Sequence, residues 1–204
     1  MRALLTGSTG FLGLPLARRL ARENLDLRLL VRNRSNVPAD LAARCEVLEG
    51  SVEDRDLVRR AAQQTEVIFH VAALVRAWLP DRASFDRTNV GGLRHLLEAA
   101  GGAKFIYTST FLVLDPQQPP CGDYHRTKLL AHEMALQSHA VILYPGVIFG
   151  PGPAREANFV RRMIDEYRHG AFAGLLAGGR PRWSFAYLED VVEGHVAAWK
   201  RAAP

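Results

Sequence analysis

The chain has 204 residues, 48% of them hydrophobic and 23% charged, a balance that excludes a disordered or collagen-like polypeptide and suits one large domain. Its 26 basic residues exceed the 21 acidic ones for a net charge of +5. Twenty-three of the basic residues are arginine, scattered along the chain with few aromatic residues between them, a compositional bias and no nucleic-acid device. A lysine is therefore informative wherever one of the three (Lys104, Lys128, Lys200) falls in a motif. The opening apolar stretch Ala3-Leu4-Leu5 stops at Thr6-Gly7, too short for an export signal. The uncharged stretch over residues 138–154 is broken by Pro145, Gly146, Gly150, Pro151, Gly152 and Pro153, so no membrane span is expected. Cys45 and Cys121 form neither a metal spacing nor a disulfide framework, so no metal is expected and a cytoplasmic setting is.

In chain order, short apolar runs alternate with amphipathic segments. Residues 2–6 read as a buried strand, followed by a glycine turn and a helix over 11–23 in which Leu12, Leu16 and Leu20 recur on one side. Strands follow at 25–31 and 46–48, then a charged helix at 53–64. A fourth strand at 66–71 leads to a helix at 85–100 that Gly101-Gly102 ends. A fifth strand at 104–108, a helix at 124–137, a sixth strand at 140–144 and helices at 155–168 and 189–201 complete the series. The pattern predicts a single doubly wound α/β domain, a Rossmann-like parallel sheet covered by helices on both faces.

Thr6-Gly7-Ser8-Thr9-Gly10-Phe11-Leu12-Gly13 lies where the first strand turns into the first helix. Glycines 7, 10 and 13 there let the backbone approach a pyrophosphate, whose charge the helix N-terminus favours. A Rossmann site for NAD carries an acidic residue about 20 positions further on, for the ribose 2′-hydroxyl. This chain instead reads Val31-Arg32-Asn33-Arg34-Ser35, and Arg32 and Arg34 suit a 2′-phosphate, so NADP(H) is expected over NAD(H). Further on, Tyr124-His125-Arg126-Thr127-Lys128 holds a tyrosine and a lysine four apart on one helix face. A tyrosine with a pKa near 10 needs a nearby ammonium if it is to exchange protons close to neutrality.

The TGxxGxxG turn followed by Tyr-x-x-x-Lys resembles the extended short-chain dehydrogenase/reductases, the NAD(P)-dependent epimerase/dehydratase family. The wording of the chain is nearest its dihydroflavonol reductase and hydroxysteroid dehydrogenase-like branch. His70-Val71-Ala72-Ala73, Asn89-Val90-Gly91-Gly92, Tyr144-Pro145-Gly146-Val147 and Trp183-Ser184-Phe185-Ala186-Tyr187-Leu188-Glu189-Asp190 resemble further stretches of that family, in family order. The resemblance implies a catalytic trio of Thr110 (with Ser109 as fallback), Tyr124 and Lys128. In it the hydroxyl holds the substrate oxygen, the tyrosine gives the proton, and the lysine also meets the nicotinamide ribose. It implies a cofactor site of Gly7, Thr9, Gly10, Phe11, Leu12, Gly13, Arg32, Arg34, Ser51, Val52, Ala72, Ala73, Lys128, Pro145 and Val147. It also implies a homodimer through the helices at 85–100 and 124–137.

Four departures stand out. Ser51 occupies a place where the family often has an adenine-binding aspartate, and Tyr144 one where relatives have an arginine. Only 13 residues separate Thr110 from Tyr124; fully extended they reach roughly 43–47 Å, enough to join the trio while leaving a thin substrate wall. Residues 152–204 correspond to part of a substrate-side segment, so the substrate lobe is expected to be short or missing. The expected activity is hydride transfer between NADP(H) and a small carbonyl or alcohol. A non-catalytic NADP(H)-binding sensor and a nucleotide-sugar epimerase or dehydratase are the alternatives.

Overall fold

The computed structural model describes residues 1–115, 119–153, 157–172, 174, 176–180 and 182–202. Six parallel strands, β1 (Arg2–Thr6), β2 (Asp26–Val31), β3 (Glu46–Glu49), β4 (Val67–His70), β5 (Lys104–Thr108) and β6 (Val141–Leu143), form one sheet in the order β3-β2-β1-β4-β5-β6. The helices are α1 (Gly13–Leu20), α2 (Ala39–Ala42), α3 (Arg55–Ala62), α4 (Ala83–Phe85), α5 (Gly92–Ala99), α6 (Asp123–Leu136), α7 (Phe159–Arg168) and α8 (Leu188–Arg201). The doubly wound parallel sheet is the fold that the alternation predicts.

Strand alternation explains why both faces of the sheet are dry. Ala3, Leu5, Leu27, Leu29, Val67, Phe69 and Ile106 point to one face, where Leu16 and Leu20 of α1 and Val192 and Val196 of α8 cover them. Leu4, Leu30, Ile68, Phe105 and Tyr107 point to the other, against Val58 and Ala61 of α3, Leu93 and Leu96 of α5, and Ala131 and Ala135 of α6. Two cations close helix ends as the macrodipole favours. Arg28, buried in β2, donates Nη1 to the Ala61 carbonyl at 2.6 Å and Nε to Glu46 at 2.8 Å. Lys104 donates Nζ to the Trp199 carbonyl of α8 at 2.6 Å and to that of Ala202.

The differences from expectation are local. Helix α1 is shorter than 11–23 because Phe11 and Leu12 belong to the turn and because Arg22 and Glu23 close in tighter turns onto Arg19 and Leu20. The helix expected at 85–100 begins at Ala83, and its stretch Asp86–Gly91 is a π-helix. The start of the helix expected at 155–168 lies outside the described residues, which show α7 from Phe159. A second parallel pair, β7 (Val147–Phe149) with β8 (Phe185–Tyr187), was not predicted, since three-residue strands are too short to show a period.

Candidate cofactor and catalytic site

The strand order reverses between β1 and β4, and at the C-terminal ends of the strands lies a cleft of about 660 Å³. Open α/β sheets bind ligands at such a switch point. The cleft brings together Gly7, Thr9, Gly10, Phe11, Leu12, Gly13, Arg32, Ser51, Val52, Ala72, Ala73, Thr110, Tyr124, Lys128, Pro145 and Val147. Arg34 does not line it: its Nη1 donates to the Val47 carbonyl at 3.2 Å, which holds the guanidinium against β3. Sequence reasoning missed several walls of the cleft, among them Asn36, Thr88, Leu112, Ala157 and Phe159. Apart from Thr88, which lies within the π-helical stretch, these sit on loops and short turns or helix starts that no spacing rule reaches.

The floor is a three-way backbone junction. Gly7 has φ +76°, and a Cβ on it would stand 2.7 Å from the amide nitrogen of Ala72. A Cβ on Gly13 would stand 2.0 Å from the Gly7 carbonyl oxygen. The end of β1, the start of α1 and the end of β4 can meet this closely only because both residues are glycine. The Gly10 N–H donates to Gly7 O at 2.9 Å, and the Thr6 hydroxyl accepts the Ala72 N–H at 3.3 Å and lies 2.8 Å from His70 Nδ1. A cradle of this shape, with backbone N–H groups and the N-terminus of α1 beside it, fits the pyrophosphate of a dinucleotide.

The far wall is fixed by polar clamps. Asn89, buried in the π-helix, accepts the Leu74 N–H at 2.7 Å and donates to Thr127 Oγ1 at 3.0 Å, tying the loop after β4 to α6. π-Helical turns often mark functional sites because they re-aim a side chain that a regular helix would misplace. Arg82 grips Asp123 at the start of α6 at 2.7 and 3.0 Å, and Arg126 grips Asp86 at 2.8 and 2.6 Å. The helix that carries Tyr124 and Lys128 is thereby held at its first turn.

Tyr124 faces the cleft half-buried, and burial pushes its pKa up to about 12, partly offset by the neighbouring Thr110 hydroxyl. Thr110 also caps the short turn Phe111–Leu114, its Oγ1 accepting the Leu112 N–H at 3.4 Å and keeping its own proton available. Ser109 is buried beside Tyr107 at the end of β5. Tyr124 and Lys128 share one helix face as their spacing predicts. The ammonium's own partners lie elsewhere: Lys128 Nζ donates to Tyr107 Oη at 2.7 Å and to the Thr108 carbonyl at 2.8 Å. Burial lowers its pKa to about 7. His70, stacked on Tyr107 at 5.7 Å between ring centroids, is held neutral, its pKa lowered to about 3 by burial and then by Lys128. Tyr107 is a residue sequence reasoning passed over; the strand period alone puts it on the sheet face that α6 covers. Ser51, which stands in the adenine-side position, accepts the Glu53 N–H at 3.2 Å and faces the cleft. Among the described residues no group of three or more His, Cys, Asp or Glu could hold a metal, and no helix is long and apolar enough to cross a membrane.

A parallel sheet with a glycine-rich turn and a Tyr-x-x-x-Lys helix at its switch point is the arrangement of the extended short-chain type. The NAD dependent epimerase/dehydratase family matches residues 3–204, and the chain belongs to it. It is 30% identical to a 4-hydroxy-2-methyl-3-oxo-4-farnesyl-3,4-dihydroquinoline-1-oxide ketoreductase of Stigmatella aurantiaca, over 98% of this chain and 65% of that one. It is also 30% identical to sterol demethylase protein B of Methylococcus capsulatus, over 94% of this chain and 64% of that one. The crystal structure of gox2253 superposes with a TM-score of 0.81 at 31% identity, covering 98% of this chain and 66% of that one. The chain thus spans just under two thirds of the length of each of these three relatives.

Proposed function

We propose that the chain is an NADP(H)-dependent oxidoreductase that reduces a small carbonyl or oxidises the matching alcohol. The observation that carries this reading is the convergence of the glycine cradle, Arg32, Thr110, Tyr124 and Lys128 on one cleft. Gly7, Gly10 and Gly13 would hold the pyrophosphate and Arg32 a 2′-phosphate. Val52 would pack on the adenine side, and Ala72, Ala73, Pro145 and Val147 would line the path to the nicotinamide. When bound, the cofactor supplies or accepts hydride.

The chain's own residues do the remaining work. The Thr110 hydroxyl hydrogen-bonds the substrate oxygen, and the Tyr124 phenol, protonated at neutral pH because burial raises its pKa, gives that oxygen its proton. The Lys128 ammonium, at the base of the same cleft, would favour the phenolate left behind and would hold the cofactor's ribose. Kinship with a ketoreductase favours carbonyl reduction over sugar epimerisation. Two free cysteines suit a reducing, cytoplasmic compartment. Exposed Leu130 and Leu136 on α6 suit a homodimer face, and residues 152–204 would form the partial substrate side of this one domain.

Calorimetric titration with NADPH and NADH, run beside turnover assays on wild-type and Tyr124→Phe protein, tests the reading. NADPH binding tighter than NADH, with turnover that Tyr124→Phe lowers by about 10²-fold or more, is the expected result. Binding without turnover, unaltered by Tyr124→Phe, would instead identify a cofactor sensor.

A further inference from the structure

Lys128 is 2% exposed at the base of the cleft, and among the described residues no carboxylate pairs with it. The groups that face it are Tyr107 of β5, which takes one of its N–H groups, His70 of β4 and His132 of its own helix, with Tyr124 and Tyr144 beside Tyr107. An ammonium buried without a counter-charge loses its proton readily unless neutral acceptors hold it. Tyr107 supplies such an acceptor twice over. Its oxygen takes one N–H at 2.7 Å, and its ring lies 4.3 Å from Nζ, within cation–π range. Tyr107 itself is rigid: it is 1% exposed, stacked on His70 at an interplanar angle of 17°, and His70 is in turn pinned by Thr6. The ammonium has three hydrogens, and Tyr107 Oη and the Thr108 carbonyl take two of them.

We propose that Tyr107 is a positioning residue that holds Lys128 protonated and, together with the Thr108 carbonyl, leaves its third N–H for the ligand in the cleft. The inference rests on Lys128 acting as the charged partner of Tyr124, and it adds a residue that the Tyr-x-x-x-Lys motif does not contain. Burial lowers the Lys128 pKa to about 7, so a lost acceptor has its effect in the neutral range. The functional consequence is a base limb in the pH–rate profile whose position Tyr107 sets.

The test is Tyr107→Phe in the full chain, which keeps the ring and removes the acceptor oxygen. Protein labelled with 13C at lysine Cε gives three resonances to follow against pH, with Lys128→Arg assigning the one of interest. The Lys128 midpoint is expected to fall by about one pH unit, since a hydrogen bond to the charged form is lost. The base limb of kcat/KM should move to lower pH by a similar amount, with the KM for NADPH rising several-fold at pH 8 and less at pH 6. A lower melting temperature with an unmoved lysine midpoint and an unmoved pH profile would assign Tyr107 a packing role and overturn the inference. A shifted midpoint in a protein that reduces no carbonyl would sustain the positioning and defeat the proposed reaction, so the two failures are distinguishable. Should Tyr107→Phe not fold, the wild-type protein provides the second measurement: the Lys128 Cε protons must show NOEs to the Tyr107 ring, and their absence overturns the contact.

Discussion

Replacing Gly13 by alanine perturbs the junction on which the cradle is built. The new Cβ would lie 2.0 Å from Gly7 O, 2.7 Å from Gly7 C and 3.1 Å from Ser8 Cα, where ordinary contact begins near 3.4 Å. All three are backbone atoms, so no side-chain rotation relieves the clash, and the turn must open by about 1.4 Å. Overpacking of this kind costs about 1–3 kcal/mol, and the Gly10 N–H to Gly7 O bond adds about 1 kcal/mol if it breaks. Alanine's better helix propensity at the first position of α1 offsets up to about 1 kcal/mol, leaving a net loss of about 1–3 kcal/mol. For a domain of this size that lowers the Tm by roughly 2–12 °C. Because Gly7, Gly10 and Gly13 all line the cleft, NADPH affinity should fall by about tenfold or more. Thermal melts followed by circular dichroism and titrations followed by NADPH fluorescence read the two effects. Gly102→Ala, whose Cβ meets no atom within 4 Å, should change neither. A Gly13→Ala protein that melts and binds like the wild type would refute the reasoning.

Three further outcomes are expected. Arg32→Glu should weaken NADPH by about 10–150-fold, the worth of a charge-assisted bond, while NADH binding is little weakened, as comparative titrations would show. Tyr124→Phe should lower kcat by about 10²–10⁴-fold with cofactor affinity nearly unchanged, since the phenol donates a proton and does not hold the nucleotide. His70 has a folded-state pKa of about 3, below its unfolded value of 6.5, so between these pH values the unfolded chain binds the extra proton. Stability must therefore fall as the pH drops below 6.5, by up to about 1.4 kcal/mol per pH unit from this residue. Urea melts at pH 6.5 and 5 should show that fall, and a His70→Gln variant with the same pH slope as wild type would contradict it.

The sheet was legible because parallel strands buried on both faces read as continuous apolar runs, and β1 and β5 end where the sequence predicts. The glycine turn was legible because glycines between the first strand and the first helix mark a close approach of backbones. What escaped is tertiary in origin. The π-helical turn depends on Asn89 reaching Leu74 and Thr127, partners 15 and 38 residues away. The β7–β8 pair is fixed by Val147 meeting Phe185 across a long excursion. Arg34 and Arg32 look equivalent two positions apart, yet the chain turns between them, so that one lines the cleft and the other bonds β3. Lys128 was identified, but its partner Tyr107 was not, because a motif names residues along the helix and says nothing of the strand beneath it.

The most direct test of the account is transfer of the label from NADPH deuterated at C4 of the nicotinamide, offered to the full chain with a panel of cyclic and aromatic ketones. Deuterium at the carbinol carbon of a product alcohol, lost with Tyr124→Phe, is the predicted result. NADPH bound in the cleft, with no label reaching any product, would contradict it.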